Sequence, residues 1–206
     1  LKQVLSEQRT LFLKKDLGVE RSALALAGEK LKLPHVVVLS GLRRSGKSTL
    51  MRQIVKKFYS DEAFYYVSFE DERLTGFEAS QFNDVYEALV ELFGERKTFF
   101  IDEVQNVEKF ESFVRRFYDA GFKFFISGSN ARLLSKELGT KLTGRHVDIV
   151  VRPFSFKEFL ALRKFHFEKA MLYSSEGRVS LKKLFGEYLG KGGMPEYLLY
   201  GDSEVL

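Results

Sequence analysis

Nine consecutive residues, Gly41-Leu42-Arg43-Arg44-Ser45-Gly46-Lys47-Ser48-Thr49, match the pattern G-x-x-x-x-G-K-[ST]. This pattern is typical of a phosphate-binding loop, or P-loop, which a buried strand precedes and a helix follows. Residues 35–40, His-Val-Val-Val-Leu-Ser, have the apolar, β-branched character of such a strand. After the loop, apolar side chains recur at helical spacing: Leu50, Met51, Ile54, Val55 and Phe58. The sequence therefore predicts a strand, a phosphate-binding turn and a helix in direct succession.

The chemistry of this loop suits the charged tail of a nucleoside triphosphate, which we expect to be ATP with Mg²⁺. Glycine lets backbone N–H groups turn toward phosphate without a Cβ in the way, and a helix N-terminus attracts negative charge. We expect the Lys47 ammonium to bridge the β- and γ-phosphates and the Ser48 hydroxyl to ligate Mg²⁺. The expected nucleotide-binding residues are Gly41, Arg43, Arg44, Ser45, Gly46, Lys47, Ser48 and Thr49.

Two carboxylates follow a later apolar run, in the pattern known as Walker B. Residues 99–101, Phe-Phe-Ile, read as a buried strand, and Asp102 and Glu103 come directly after it. Ligands of open α/β sheets collect at the carboxyl ends of the strands, so both side chains should lie beside the P-loop. We expect Asp102 to hold Mg²⁺ and Glu103 to activate the attacking water as a general base. Gln105 is a further candidate for orienting that water.

Other polar residues suit contact with the terminal phosphate. Ser129 and Asn130 follow the run 122–127 and are candidates for a polar sensor of the γ-phosphate, although a helix N-cap explains the same residue types. Arg145 precedes the last predicted strand and could stabilise transition-state charge from its own chain or from a neighbour's. Arg152 is a weaker candidate, and exposure to solvent is the competing interpretation of both arginines.

The order of apolar runs along the chain predicts an α/β fold. Strands are expected over residues 36–40, 63–69, 98–101, 122–127 and 147–151, and helices over 47–59, 79–94, 108–120, 131–138 and 155–165. Residues 1–32 read as amphipathic helix interrupted at Gly18 and Gly28. Strands that alternate with helices form right-handed crossover units, and these place a parallel sheet between two layers of helices.

Composition and charge limit the class of protein. The chain has 206 residues, 45% of them hydrophobic, and no Cys, which excludes disulfides, thiolate metal sites and a Cys nucleophile. No apolar run has the length of a transmembrane helix and no signal peptide is visible, so we expect an intracellular, cytoplasmic protein. The chain starts with Leu rather than Met and stops soon after a Gly-rich segment, so we expect a fragment, or an ordered part, of something longer. Net charge is +9 over residues 1–60, −9 over 61–120 and +5 over 121–206. A basic first third can attract nucleic acid, although a bound triphosphate and solvated helices account for the same charge.

Residues 127–145, from Ser-Gly-Ser-Asn-Ala-Arg-Leu-Leu to Leu-Thr-Gly-Arg, and residues 152–160 resemble one known family. It is the prokaryotic, largely archaeal family of AAA+-type P-loop ATPases that carry a C-terminal domain of unknown function. The resemblance covers roughly residues 30–200 and includes the P-loop, residues 102–105 and the late Lys-Gly-Gly-Met-Pro-Glu of 191–196. It implies a three-layer AAA+ core with an additional strand and a catalytic glutamate, a five-stranded parallel sheet, a C-terminal helical lid, and a role for Arg145. The expected division is a helical lead-in over 1–32, the ATPase core over 33–165 and the lid over 166–206, with candidate hinges at Gly186, Gly190, Gly192 and Gly193.

The leading hypothesis from the sequence is an Mg²⁺-dependent ATPase that couples hydrolysis to conformational change on a partner protein or on DNA, alone or as a homo-oligomer. Two alternatives stay open. The chain could be a slowly hydrolysing nucleotide switch, or a small-molecule P-loop kinase, although no acceptor-binding acid stands out beyond residues 70–72. A helicase fits less well, because the remaining helicase elements are missing.

Overall fold

The structure is a computed structural model that describes residues 1–59, 63–129 and 142–201. Its strands are β1 (Val36–Ser40), β2 (Tyr65–Ser68), β3 (Thr98–Asp102), β4 (Lys123–Gly128) and β5 (His146–Val150). All five correspond to strands expected from the sequence, and no end differs by more than two residues. The helix expected over 131–138 lies outside the described residues.

Eight α-helices are present in the described part of the chain. They are α1 (Lys2–Lys14), α2 (Ala23–Lys30), α3 (Lys47–Phe58), α4 (Phe82–Phe93), α5 (Phe110–Asp119), α6 (Phe156–Leu162), α7 (Ser175–Lys191) and α8 (Pro195–Tyr200). The helix expected to begin at residue 79 starts with a 3₁₀ turn, Ala79–Gln81, before α4. The helix expected over 155–165 is shorter because Ser155 caps its N-terminus and Lys164 adopts a left-handed backbone with φ 53°.

The five strands form one parallel sheet in the order β2-β3-β4-β1-β5. β4 therefore lies between β1, which leads into the P-loop, and β3, which ends in Asp102. This is the additional strand that the family resemblance implied. The prediction of a three-layer α/β fold of the P-loop type is confirmed, and the carboxyl ends of β1, β3 and β4 meet at one edge of the sheet.

Helices cover both faces of the sheet. Alternate residues of each strand point to opposite sides, so each strand contributes side chains to two cores. Val36 and Val38 of β1 belong to the core that includes α4 and α5, whereas Val37 and Leu39 belong to the core that includes α2 and α3. Aromatic rings fill much of both cores. Phe99 stacks on Phe124 at 5.2 Å between ring centroids on one face, and Phe100 stacks on Phe125 at 4.6 Å on the other. These cross-strand stacks join β3 to β4 directly beneath the site at their carboxyl ends.

The N-terminal helices pack directly on the sheet. Leu5 of α1 is buried in one core, and Leu24 and Ala27 of α2 are buried in the other. Gly18, with φ 59°, lies between the two helices as expected, but the prediction that Gly28 interrupts the helix is wrong. Gly28 lies inside α2, and a Cβ at this position would lie 2.7 Å from the ring of Phe58. The glycine permits α2 and α3 to approach closely.

The C-terminal helices form a third cluster of buried side chains at one end of the molecule. Its members are Phe154, Phe159, Leu160, Leu181 and Leu198, with Val19 packed against them. The backbone of Phe154 donates to the carbonyl of Gly193 at 2.6 Å, which ties the approach to α6 to the turn between α7 and α8. Among the candidate hinges, Gly186 and Gly190 lie inside α7, and Gly192 ends it with φ 72°. No helix in the described residues combines the length and the apolar character needed to cross a bilayer.

Candidate active site

Backbone geometry at the P-loop depends on residues that can adopt positive φ. Gly41 has φ 153°, and a Cβ there would lie 2.3 Å from the carbonyl oxygen of Val151. Gly46 has φ 94° and immediately precedes α3. The first N–H groups of α3 have no acceptor within the helix, and they face the loop together with the positive end of the helix dipole. The loop is therefore closely packed from behind and rich in free N–H donors in front.

Lys47 connects the P-loop to the carboxylate that follows β3. Its side chain is 4% exposed, and the ammonium donates to the carbonyl of Leu42 at 3.0 Å and lies 3.4 Å from that of Gly41. The same nitrogen lies 3.6 Å from Oε1 of Glu103. Since β4 separates β1 from β3, this contact reaches across one strand of the sheet. The structure thus brings together Lys47 and Glu103, which are 56 positions apart in the sequence.

Asp102 is buried, with 4% of the residue exposed, and two hydroxyl groups orient its carboxylate. The Ser127 hydroxyl donates to Oδ1, and the Tyr66 hydroxyl lies 3.4 Å from Oδ2. Burial, followed by the charge of Asp102, raises the pKa of Tyr66 well above its usual value, so that the phenol stays protonated and able to donate. Ser127 also accepts the backbone N–H of Glu103 at 3.2 Å. One serine on β4 therefore positions both consecutive acidic residues.

Glu103 has a left-handed backbone, with φ 49° and ψ 48°, which is uncommon for a residue with a Cβ. Its Oε2 accepts a hydrogen bond from Nε2 of Gln105 at 2.5 Å, and the same nitrogen lies 3.3 Å from the Ser129 hydroxyl. Glu103, Gln105 and Ser129 thus form one polar cluster at the carboxyl edge. Strained backbone of this kind persists where the surroundings enforce it, and it often occurs at functional sites.

The two arginines of the P-loop point toward carboxylates from other parts of the chain. Arg44 lies 3.0 Å from Glu196 of α8, and Arg43 lies 3.6 Å from Glu70, which follows β2. Arg44 also has a positive φ of 63°. Side chains from α8 and from the turn after β2 therefore flank the loop on two sides.

Two observations test whether the site fits a phosphate and Mg²⁺. The Ser45 hydroxyl is buried in the loop and has no hydrogen-bond partner among the described residues, so a donor is available there. No group of three or more His, Cys, Asp or Glu residues in the described ranges could hold a metal by itself. Mg²⁺ needs no such group, because it usually takes one or two protein ligands together with water and substrate phosphates. Asp102 and Ser48 suit that role by residue type.

Arg145 does not join this cluster within its own chain. It immediately precedes β5, and its carbonyl accepts the N–H of Val36 at the start of β1, whereas the P-loop follows the end of β1. A five-residue strand separates the two by roughly 15 Å. Its guanidinium instead lies 2.6 Å from Asp119, which ends α5. Arg145 therefore lies away from the P-loop of its own chain, and a catalytic role for it, which this position favours on a neighbouring chain's nucleotide, stays a prediction.

Two further candidates do not join the cluster in the described structure. Asn130 lies outside the described residues, so its role stays a prediction. Arg152 contributes its backbone carbonyl, which accepts from Nη2 of Arg21 at 2.5 Å. Its exposed side chain forms no hydrogen bond or ion pair with the residues that the structure describes.

Sequence patterns missed several residues that surround the loop. Arg21 is 4% exposed and donates to the Ser45 carbonyl at 2.6 Å, yet it stands in a segment with no motif. Glu158 pairs with Arg21 at 3.1 Å; its place three residues after Ser155 signals a capping box, which explains a helix start but not this partner. Ser127 could have been recognised, since it is next to the last residue of β4 and the adjacent β3 ends in Asp102.

A groove of about 900 Å³ lies away from the P-loop. It lies between residues 20–22 and helices α6 and α7, and apolar side chains such as Phe156, Leu160 and Phe185 line it. None of residues 41–49 is among the described residues that line it. This groove is therefore separate from the polar cluster at the P-loop.

Known proteins match most of this chain in sequence. A family model described as an AAA domain matches residues 34–160. An uncharacterized protein of Methanocaldococcus jannaschii is 38% identical over 170 residues, which are 82% of this chain and 38% of the relative. An uncharacterized protein of Haemophilus influenzae is 35% identical over 170 residues, or 80% of this chain and 40% of the relative. The chain spans about two fifths of the length of these curated relatives.

Solved structures support the fold. The Walker-type ATPase of Pyrococcus abyssi superposes with a TM-score of 0.52 and 16% identity, covering 93% of this chain and 72% of that protein. Hsp104 in a Saccharomyces cerevisiae Hsp104–casein complex gives a TM-score of 0.57 and 15% identity, covering 95% of this chain and 38% of Hsp104. At these identities the likeness concerns the arrangement of the sheet and its helices.

Proposed function

Since this chain belongs to the family of AAA domains, we propose that it binds ATP with Mg²⁺ at residues 41–49 and hydrolyses it, with Glu103 as the general base. The nucleotide-binding residues are Gly41, Arg43, Arg44, Ser45, Gly46, Lys47, Ser48 and Thr49. Asp102 and Ser48 are the proposed metal ligands, and Glu103, Lys47, Ser129, Asn130 and Arg145 the proposed catalytic residues, Arg145 acting on a neighbour's nucleotide.

One observation carries this proposal. The buried Lys47 ammonium lies 3.6 Å from Glu103, so the residue expected to hold phosphate and the residue expected to activate water share one small site. A buried cation and a carboxylate this close attract each other, because water screens the pair less than it would on the surface. An incoming triphosphate brings negative charge that competes for Lys47. Glu103 is thereby released from its cation at the moment when a nucleotide is present.

Each remaining part of the site has a separate task. Mg²⁺, when bound, neutralises charge on the β- and γ-phosphates. Asp102, buried and oriented by Ser127, offers one carboxylate to hold the ion. The Glu103 carboxylate accepts the proton of the attacking water. Gln105 donates to Glu103 and approaches Ser129, so its amide can hold the carboxylate in the orientation that this proton transfer needs.

Hydrolysis is proposed to change the position of the C-terminal helices. Arg44 of the P-loop contacts Glu196 of α8, which gives the loop a direct connection to that part of the chain. A partner protein, DNA or a second copy of the chain would use this movement. In the alternative, a nucleotide switch, the same connection operates but Glu103 contributes little to the rate.

The test compares steady-state hydrolysis and nucleotide binding of the wild type, Lys47→Ala and Glu103→Gln. We expect Lys47→Ala to abolish binding. Glu103→Gln should keep binding and lower turnover about 100-fold or more, since a positioned general base contributes about 10²–10⁴-fold. Glu108→Gln is the matched control, because Glu108 is an exposed carboxylate five residues further along.

The outcomes separate the candidate functions. A slow rate that Glu103→Gln leaves unchanged would support the nucleotide switch. Transfer of phosphate to a metabolite rather than to water would favour a small-molecule kinase. Hydrolysis assays of the full-length protein with and without DNA test whether DNA is the partner. Measurement of its mass in the presence of ATP tests whether it forms a homo-oligomer.

A further inference from the structure

Arg21 is a buried cation outside the proposed catalytic machinery, in the segment between α1 and α2. The residue is 4% exposed. Its guanidinium donates in three directions: Nη1 to the carbonyl of Ser45 at 2.6 Å, Nη2 to the carbonyl of Arg152 at 2.5 Å, and Nε to Glu158 at 3.1 Å. The ring of Phe154 lies 4.9 Å from the guanidinium carbon. One side chain thus contacts the P-loop, the segment after β5, and α6.

The surroundings of Arg21 compensate for its burial. An uncompensated buried charge is costly, and a buried ion pair is tolerated only when further hydrogen bonds satisfy both partners. Glu158 meets this condition, because its carboxylate also accepts from the backbone N–H groups of Ser22 at 2.8 Å and Ser155 at 2.7 Å. Burial alone would raise the pKa of Glu158, but these N–H groups and Arg21 outweigh it and lower the pKa. Glu158 therefore stays ionised opposite Arg21 at neutral pH.

The contact with Ser45 affects the peptide group that leads into Gly46. In a trans peptide the carbonyl and the following N–H point in opposite directions. With the Ser45 carbonyl held by Arg21, the N–H of Gly46 points away from Arg21. A Cβ at Gly46 would lie 2.6 Å from Nη1 of Arg21, so the loop and the guanidinium are packed together at this point.

We infer that Arg21 is a positioning residue for the P-loop. It fixes the Ser45–Gly46 peptide so that the N–H of Gly46 faces the β-phosphate, and it ties that peptide to residues 152–158. The inference rests on the proposed function, in which residues 41–49 bind nucleotide. Arginine is required because its planar group presents donors in three fixed directions, whereas the lysine ammonium is a compact charge that cannot span these partners.

The experiment measures the Kd for Mg²⁺-ATP and Mg²⁺-ADP, together with kcat and KM, for the wild type, Arg21→Lys and Glu158→Gln. We expect Arg21→Lys to weaken both nucleotides about tenfold or more, because both carry the β-phosphate and the variant loses a charge-assisted hydrogen bond. The kcat at saturating ATP should stay within about threefold of the wild type, so the loss appears in KM. Glu158→Gln keeps Arg21 but removes its counter-charge, and should weaken binding less.

Lys123→Met is the matched control for general loss of stability. Lys123 is a part-buried cation that donates to the carbonyls of Leu33 and His35, each at 2.6 Å. It stands at the amino end of β4, on the opposite edge of the sheet from the P-loop. The control should lower the Tm and leave both Kd values unchanged.

Three results would overturn the inference while the proposed function stands: unchanged Kd values in Arg21→Lys, a loss confined to ATP, or a loss confined to kcat. The last two are expected of a group that acts on the γ-phosphate. If the wild type binds neither nucleotide, the proposed function itself is overturned. Lys47→Ala, which should not bind, is the reference for that outcome. If Arg21→Lys does not fold, Glu158→Gln decides by the same measurements.

Discussion

At the scale of single residues, four positions of the candidate site adopt positive φ angles. Gly41, Arg44 and Gly46 of the P-loop and Glu103 after β3 all have φ between 49° and 153°. For residues with a Cβ this geometry costs about 1–3 kcal/mol each. The two glycines follow from the motif, since they are part of its pattern. The strain at Arg44 and Glu103 has no counterpart in the sequence, because their side chains look like those of ordinary charged residues.

The close approach at Gly41 leads to a first prediction, for Gly41→Ala. The new Cβ would lie 2.3 Å from the Val151 carbonyl, so the loop or the segment after β5 must shift. We expect nucleotide binding to be lost and the free energy of unfolding to fall by more than in Gly121→Ala. Gly121 is the matched control, since it has φ 82° but open space around it, and should cost only about 1–2 kcal/mol. Equal losses in urea unfolding would contradict the steric argument.

At the scale of elements, α1 covers the edge of the sheet that β2 forms. β2 is an edge strand, and unpaired backbone groups at an edge invite aggregation. There the side-chain amide of Gln8 in α1 forms hydrogen bonds with the backbone of β2, as a neighbouring strand would. Its Nε2 donates to the Ser68 carbonyl at 3.0 Å, and its Oε1 accepts the Ser68 N–H at 2.9 Å. Gln8 is 6% exposed, so these bonds are shielded from water.

A second prediction concerns Gln8→Ala. The Ser68 N–H and carbonyl would lose their partners at a part-buried position, and leaving such groups unpaired costs about 1–3 kcal/mol. We expect the free energy of unfolding in urea to fall by about that amount and the edge of β2 to exchange its amide hydrogens faster. Gln3→Ala is the control on the same helix, because within the described residues the Gln3 side chain forms one solvent-exposed hydrogen bond, to Glu7. If Gln8→Ala is as stable as the control, the hydrogen bonds of Gln8 do not stabilise the edge of β2, which contradicts the prediction.

A third prediction follows from the carboxylate beside Gln8. The Arg73 guanidinium, followed by the Gln8 amide, holds the pKa of Asp71 well below its usual range. In the unfolded chain this pKa returns to about 3.9, so the unfolded state binds protons first as the pH falls. The stabilisation is complete above about pH 5 and is lost as the pH decreases toward 2. Asp71→Asn should flatten this decline in unfolding experiments at pH 7 and pH 3, whereas an unchanged slope would contradict the assignment.

At the scale of the whole molecule, segments far apart in the sequence converge on the P-loop. The N-terminal Arg21, the segment after β5 with Val151, and Glu196 of α8 all reach residues 41–46. None of these contacts is within 20 residues of its partner. The conformation of the loop therefore depends on the positions of both the N-terminal segment and the C-terminal helices.

A fourth prediction tests the link to α8 through Glu196→Gln. The Arg44–Glu196 pair is partly exposed, at 41% and 28% of the two side chains, so its loss should change the free energy of unfolding by less than about 1 kcal/mol. Nucleotide should bind roughly two- to fivefold tighter at low salt, because Arg44 becomes free to meet phosphate, and the difference should shrink at high salt. Glu187→Gln, which removes the ion pairs of Glu187 with Arg163 and Lys191, is the control. Weaker binding would mean that Glu196 holds Arg44 in a productive position.

The sequence by itself determined the alternation of strands and helices, the edge of the sheet that carries the site, and the residue types at residues 41–49 and 102–103. These are local properties, since periodicity, β-branching and a fixed spacing of glycines act over a few neighbouring residues. Only the tertiary structure decided that Ser127 orients Asp102, that Arg21 holds the loop, and that Arg145 lies at the opposite end of the strands. Each of these depends on contacts between segments that only folding brings together, and side-chain type does not encode which distant partner a buried polar group will meet.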